Sequence, residues 1–134
     1  MSYRYWDKPK SKAEVLEEIR GVTLIGREWF SHNQEAGYGP DWAYRDLFED
    51  RQNSSPTLRE LLELADEIGE NRIKYIGYTV LPPRSDWRVT VDGFIATFIK
   101  SREALNLLER YGDADERDYD EISPDVYKLR FWWD

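Results

Sequence analysis

The stretch from Gly112 to Glu121, GDADERDYDE, sets six carboxylates behind a glycine. Oxygen ligands at that density could hold a hard cation such as calcium. The spacing is wrong for an EF-hand loop, because Arg117 falls at a ligand position and no glycine makes the mid-loop turn. Glu121 also arrives too early to serve as the bidentate ligand, so no metal is assigned. The other chemistry on offer is electrostatic. Asp113, Asp115, Glu116, Asp118, Asp120 and Glu121, set against Arg117, supply −5 of the net charge of −8. Such a concentration speeds encounter with a basic protein and disfavours wrong partners. Like charges between a helix stop and a strand read first as a solvated loop. If functional, the loop is a docking surface before it is a metal site.

His32 is the single histidine, and the chain has no cysteine. Thiol catalysis, zinc–thiolate sites and His-pair metal sites are therefore excluded. Ser31 beside His32 does not make a triad, and no G-x-S-x-G elbow is present. Gly37-Tyr38-Gly39-Pro40 lacks the third glycine of a dinucleotide fingerprint, and there is no Walker-type Gly-Lys-Ser/Thr. No cofactor is expected. Paired carboxylates can cleave glycosidic bonds, but 27 acidic residues supply such pairs by chance and the sequence singles out none. An alternative ligand site lies in the segment holding Trp29, His32, Asn33, Tyr38 and Trp42. Aromatic walls with a few amide groups suit a small molecule, whether bound or turned over.

The elements that would position these residues follow from periodicity. Ser11-Lys12-Ala13-Glu14 is a capping box. It opens a helix with Val15, Ile19, Val22 and Trp29 on one face, running to about residue 31. Gly21 and Gly26 leave a strand over 22–25 as the competing reading. Residues 31–41 are turn-rich and form a loop, after which Asp41 caps a short helix carrying Ala43, Tyr44, Leu47 and Phe48. Ser55-Pro56 starts a third helix, with Leu58, Leu61, Leu62, Ala65 and Ile68 inward and Gly69 as its stop. Residues 72–80 are rich in β-branched and aromatic side chains and read as a strand ended by Pro82-Pro83.

In residues 87–99, Asp92-Gly93 is the dipeptide of a tight hairpin. Pairing across that turn puts Trp87, Val89, Val91, Phe94, Ala96 and Phe98 on one face, whereas an unbroken strand would split them. Ser101 then caps a helix with Ala104, Leu107, Leu108 and Tyr111 on one side, stopped at Gly112. Residues 126–133 alternate Tyr127, Leu129, Phe131 and Trp133 against Val126, Lys128, Arg130 and Trp132. The intervening helix implies that this last strand runs parallel to the third.

The expected fold is α+β: N-terminal helices on one face of a four-stranded, mostly antiparallel sheet, built as a meander, a helix and a final strand. At 134 residues it forms one domain. Adjacent strand residues point to opposite faces, so one of Trp132 and Trp133 lies on the outer face beside Lys128 and Arg130. Trp and Arg dominate binding hot spots, which makes Arg130 and Trp132 partner-binding candidates together with the acidic loop. Arg4, Lys8, Lys10 and Lys12 form a basic N-terminal end able to fold onto that loop.

The negative charge argues against nucleic acid as a partner. No apolar run is long enough for a membrane span or a secretion signal, so a cytoplasmic location is expected. The expected function is a small acidic, non-catalytic protein-interaction module of the regulator, inhibitor or immunity type. Its partner is another protein of basic character, or a second copy of the chain docked through the outer sheet face.

Overall fold

The computed structural model describes residues 3–33, 47–51, 54–81, 84 and 87–134. In chain order these form β1 (Tyr3–Tyr5), α1 (Lys12–Asn33), a 3-10 turn (Leu47–Glu49), α2 (Leu58–Ile68), a second 3-10 turn (Glu70–Arg72), β2 (Ile73–Val80), β3 (Arg88–Lys100), α3 (Ser101–Arg110), β4 (Glu116–Ser123) and β5 (Val126–Trp132). The strands make one antiparallel sheet in the order β1-β2-β3-β5-β4. The α+β class holds, with five strands among the described residues in place of the expected four.

The hairpin at Asp92-Gly93 does not form. Residues 88–100 are a single strand, and a bulge meets the pattern that a turn would also satisfy. Ile76 pairs with Gly93 and Gly77 with Val91, which leaves Asp92 as the extra residue on β3. One inserted residue shifts the two-residue alternation by one step, so Val89 and Val91 before it and Phe94 and Ala96 after it share the buried face. Gly93 is needed for a reason other than turn geometry. A Cβ there would lie 2.5 Å from the Phe131 carbonyl oxygen, where β5 crosses.

A second irregularity sets Thr97 and Phe98 opposite Lys128 alone. Phe98 adopts φ 60 and is 63% exposed, and Ile99 takes the inward place expected of it.

The direction of the last strand also differs from expectation. α3 does return the chain so that the next strand runs in the sense of β3, but that strand is β4. The chain then reverses at Pro124-Asp125, and β5 inserts between β3 and β4, antiparallel to both.

Ser11 and Glu14 make the expected capping box: the Ser11 amide donates to the Glu14 carboxylate at 3.0 Å, and the Glu14 amide donates to Ser11 Oγ at 3.3 Å. α1 runs unbroken through 22–25, with Val15, Ile19 and Val22 buried. It continues to Asn33, so Ser31, His32 and Asn33 belong to its last turn and not to a loop. α2 starts later than Ser55-Pro56 suggested. Thr57 is its N-cap, accepting from the Glu60 amide at 3.2 Å, because its hydroxyl reaches the free amide from an extended backbone.

Leu61, Leu64 and Ala65 of α2 meet the inward sheet residues, and the Tyr75 hydroxyl donates to the Leu61 carbonyl at 2.5 Å. Phe94 centres the aromatic part of the core, with ring centroids 4.9 Å from Phe131, 5.5 Å from Tyr111 and 6.3 Å from Trp133. Buried residues of all three helices and of β2, β3 and β5 join one cluster.

The basic N-terminal residues do not fold onto the acidic stretch. Arg4 and Lys10 pair with Glu18 of α1 at 2.8 and 3.1 Å, and Lys12 pairs with Asp66 of α2 at 2.7 Å. Glu18 also accepts from Thr79 at 2.7 Å. Burial alone would raise its carboxyl, but the hydrogen bonds from Thr79, Lys10 and Arg4 outweigh that and hold it below the usual range.

Candidate docking edge

The stretch expected to be a wet loop is mostly an edge strand. β4 takes in Glu116 to Ser123, and all eight of its residues are exposed. Although α3 lies beside its inner side, every residue stays in contact with water, so both faces carry polar residues and the apolar–polar alternation that marks a half-buried strand is missing. What makes it a strand is its pairing with β5. Glu116 stands opposite Trp132, Asp118 opposite Arg130, and Asp120 opposite Lys128. Arg130 Nη1 lies 3.5 Å from Asp118 and 3.6 Å from Glu116. Exposed pairs at such lengths add little stability, yet opposite charges directly across a pair of strands favour this register over a slipped one.

The six carboxylates thus divide by position. Glu116, Asp118 and Asp120 form a row on the outer sheet face, beside Lys128, Arg130 and Trp132. Asp118, Asp120, Lys128 and Arg130 line an open cleft of about 520 Å³ together with Ile95, Arg117 and Tyr119. Glu121 is on the opposite face, where it accepts from the Tyr127 hydroxyl at 3.0 Å. Asp115 precedes the strand and accepts from the Asp134 amide at 2.7 Å. Asp113 is exposed on the turn after α3, away from the row. Among the described residues, no group of three or more acids or histidines is placed to hold a metal ion.

The inner side of β4 faces α3. Arg117 donates to the Leu108 carbonyl at 3.1 Å, which ties its charge back to the helix. Tyr119 lies 6.5 Å from Tyr127, ring to ring. With Ser101, Ala104, Leu105 and Leu108 they line a mainly apolar groove of about 240 Å³. Leu105 is 69% exposed and Tyr119 62%. Sequence reasoning missed this groove. The signal was there: Tyr119 alternates with the acids, and Leu105 lies off the inward stripe of α3.

The hairpin turn anchors the groove. Asp125, at φ 62, sends its carboxylate back to the first turn of α3, accepting from the Ser101 amide at 3.3 Å and from the Ser101 hydroxyl. Ser101 is therefore not the cap expected of it. Lys100 holds the cap position without a side-chain bond, and the acceptor comes from the turn. The Ser101 hydroxyl and then its amide hold the Asp125 carboxyl below the usual range.

The two adjacent tryptophans part as strand alternation requires: Trp133 is wholly buried, and Trp132 is half-buried on the outer face. On that face the bulge residue Asp92 is only 1% exposed and accepts from the Tyr5 hydroxyl at 2.7 Å. Among the described residues its other oxygen has no hydrogen-bond partner. Burial pushes the Asp92 carboxyl up, against the opposing pull of the Tyr5 hydroxyl, the Trp132 indole and the Arg130 charge.

The alternative ligand site falls largely outside the described residues. Tyr38 and Trp42 lie there altogether, and Trp29, His32 and Asn33 are placed only as backbone in the last turns of α1. Among the described residues no helix is long and apolar enough to cross a membrane. Set against protein-family models, curated proteins and solved structures, the chain matches none of them.

Proposed function

We propose that this chain is a non-catalytic protein-interaction module that docks a basic partner protein along β4. The observation that carries this is the exposure of all eight residues of β4 at the sheet edge, with a carboxylate row on one side and an apolar groove on the other. Acidic rows steer a partner of opposite charge, while apolar and aromatic surface supplies the affinity. Trp132 and Arg130, next to the row, add the residue types that dominate such contacts.

The same row disfavours a second copy of the chain at this edge. Antiparallel self-pairing of β4 would bring acidic rows side by side, and charged edges are a common device against edge-to-edge association.

The test is affinity capture of the tagged protein from its own cells at low salt, alongside the variant Glu116→Gln/Asp118→Asn/Asp120→Asn. A basic protein should be retained by the wild type and lost by the variant, with retention falling as salt rises. A partner held equally well by both proteins would move the docking surface elsewhere.

A further inference from the structure

The reading of β4 as a docking edge leaves open how a partner engages it, and the geometry narrows the choice. Resting on that reading, we infer that β4 accepts an extended segment of the partner as a sixth strand, and that the segment alternates basic and apolar residues.

Among the described residues, β4 is last in the sheet order and pairs with β5 alone. Every second residue of such a strand turns its amide and carbonyl away from the sheet, where they can pair with an added chain. No proline interrupts Glu116 to Glu121, and the register with β5 is regular over those residues, shifting only between Glu121 and Ser123. That regular part is long enough for a short strand.

The two sides of β4 dictate the composition of an added strand, because its side chains alternate as those of β4 do. On the outer side they come beside Glu116, Asp118 and Asp120. Three carboxylates stand there against two bases of β5, Lys128 and Arg130. Arg117 cannot offset the excess on that side, since its guanidinium is bonded to the Leu108 carbonyl on the other. Lysine or arginine at every second position of the added strand is therefore favoured. On the inner side its side chains come beside Arg117, Tyr119 and Glu121; Arg117 is bonded back to Leu108 and Glu121 to Tyr127, so the apolar contact there is Tyr119 and the groove it lines with Ala104, Leu105 and Leu108. Bulky apolar residues at the alternate positions cover that surface. A second copy's β4 lacks this pattern, and β1, the opposite edge, is only Tyr3–Tyr5.

The probe is a ten-residue peptide alternating Lys with Val and Tyr, titrated by fluorescence anisotropy into the full-length protein. Its controls are the same composition with the lysines in one block, and two forms N-methylated at alternate amides. Strand addition predicts that the blocked peptide and one methylated form bind at least tenfold more weakly, while the other methylated form keeps its affinity. Leu105→Lys should weaken the alternating peptide by about tenfold. By NMR, alternate β4 amides should gain protection from exchange when the peptide binds.

Equal binding of all four peptides, abolished by salt and by Asp118→Asn/Asp120→Asn, would overturn strand addition while leaving an acidic docking edge in place. Failure of the alternating peptide to bind at all would also overturn it. The affinity capture described above then shows separately whether the edge docks any basic protein.

Discussion

Replacing Gly77 with alanine tests the bulge that organises the sheet. Gly77 faces Val91 just past the unmatched Asp92, and a Cβ at this position would lie 2.0 Å from the Thr90 carbonyl oxygen and 3.0 Å from the Trp6 ring. Carbon and oxygen in contact across strands normally stand about 3.3–3.6 Å apart. The two strands would therefore have to separate by more than about 1 Å. That stretches the flanking ladder hydrogen bonds beyond useful length. Two such bonds at about 1 kcal/mol each, with about 1 kcal/mol for the overpacked ring, give a loss of roughly 3 kcal/mol.

Gly21→Ala is the matched control, since none of the described residues outside its own helix turn lies within 4 Å of its Cβ position in α1. A helix-interior Gly→Ala change should stabilise by about 0.5–1 kcal/mol. Urea denaturation followed by tryptophan fluorescence reads both. With a slope of roughly 1.5 kcal/mol per molar, Gly77→Ala should lower the midpoint by about 2 M and Gly21→Ala should raise it by about 0.5 M. A Gly77→Ala midpoint within about 0.3 M of wild type, on that same slope, would mean that Gly77 does not sit against Thr90. The bulge, and the single long β3, would then be wrong.

Two aspartates should show opposite responses to pH. Asp92 is held above the ordinary carboxylate range by burial, so its contribution to stability is fully present below about pH 4, the unfolded value, and is lost as pH rises through the raised folded value. Asp92→Asn should remove that loss, which is on the order of 1 kcal/mol for a buried group short of a partner; a wild-type-to-variant difference that stays constant with pH in urea denaturation would refute this. Asp125 is held below the ordinary range by Ser101, so its contribution is present above about pH 4 and is lost as pH falls through the lowered folded value. Asp125→Asn should destabilise at neutral pH and converge with wild type in acid, and hydrogen exchange should show faster opening of the first turn of α3; unchanged protection at Ser101–Ala104 would remove Asp125 as its cap.

Much of the local structure was legible in the residues. The capping box at Ser11, the stripe Leu58, Leu61, Leu62, Ala65 and Ile68, and the alternation of Leu129, Phe131 and Trp133 each report a neighbour within a few residues. That kind of information is local. Asp92-Gly93 misled because one dipeptide satisfies two different demands: the flexibility of a tight turn, and the lack of a side chain where β5 passes. Only the position of Phe131 and Trp132, nearly forty residues further on, separates the two.

The acidic stretch misled for a related reason. A strand whose residues all stay exposed need not alternate in polarity, and its pairing with Lys128 and Arg130 is visible only once the turn at Pro124-Asp125 is known. The cap of α3 came from that same turn and not from Ser101, because a helix start needs an acceptor but does not require one from its own segment.

Residue types and short-range spacing were enough for the inward stripes of α1, α2 and α3, the identity of most core residues, the absence of thiol chemistry and the concentration of negative charge. The tertiary structure decided the number and order of the strands, the bulge at Asp92, and the gathering of an acidic row, an apolar groove and an open strand edge at one place. Those depend on which distant segments come to lie side by side, and burial of the shared core, not any local preference, selects that arrangement.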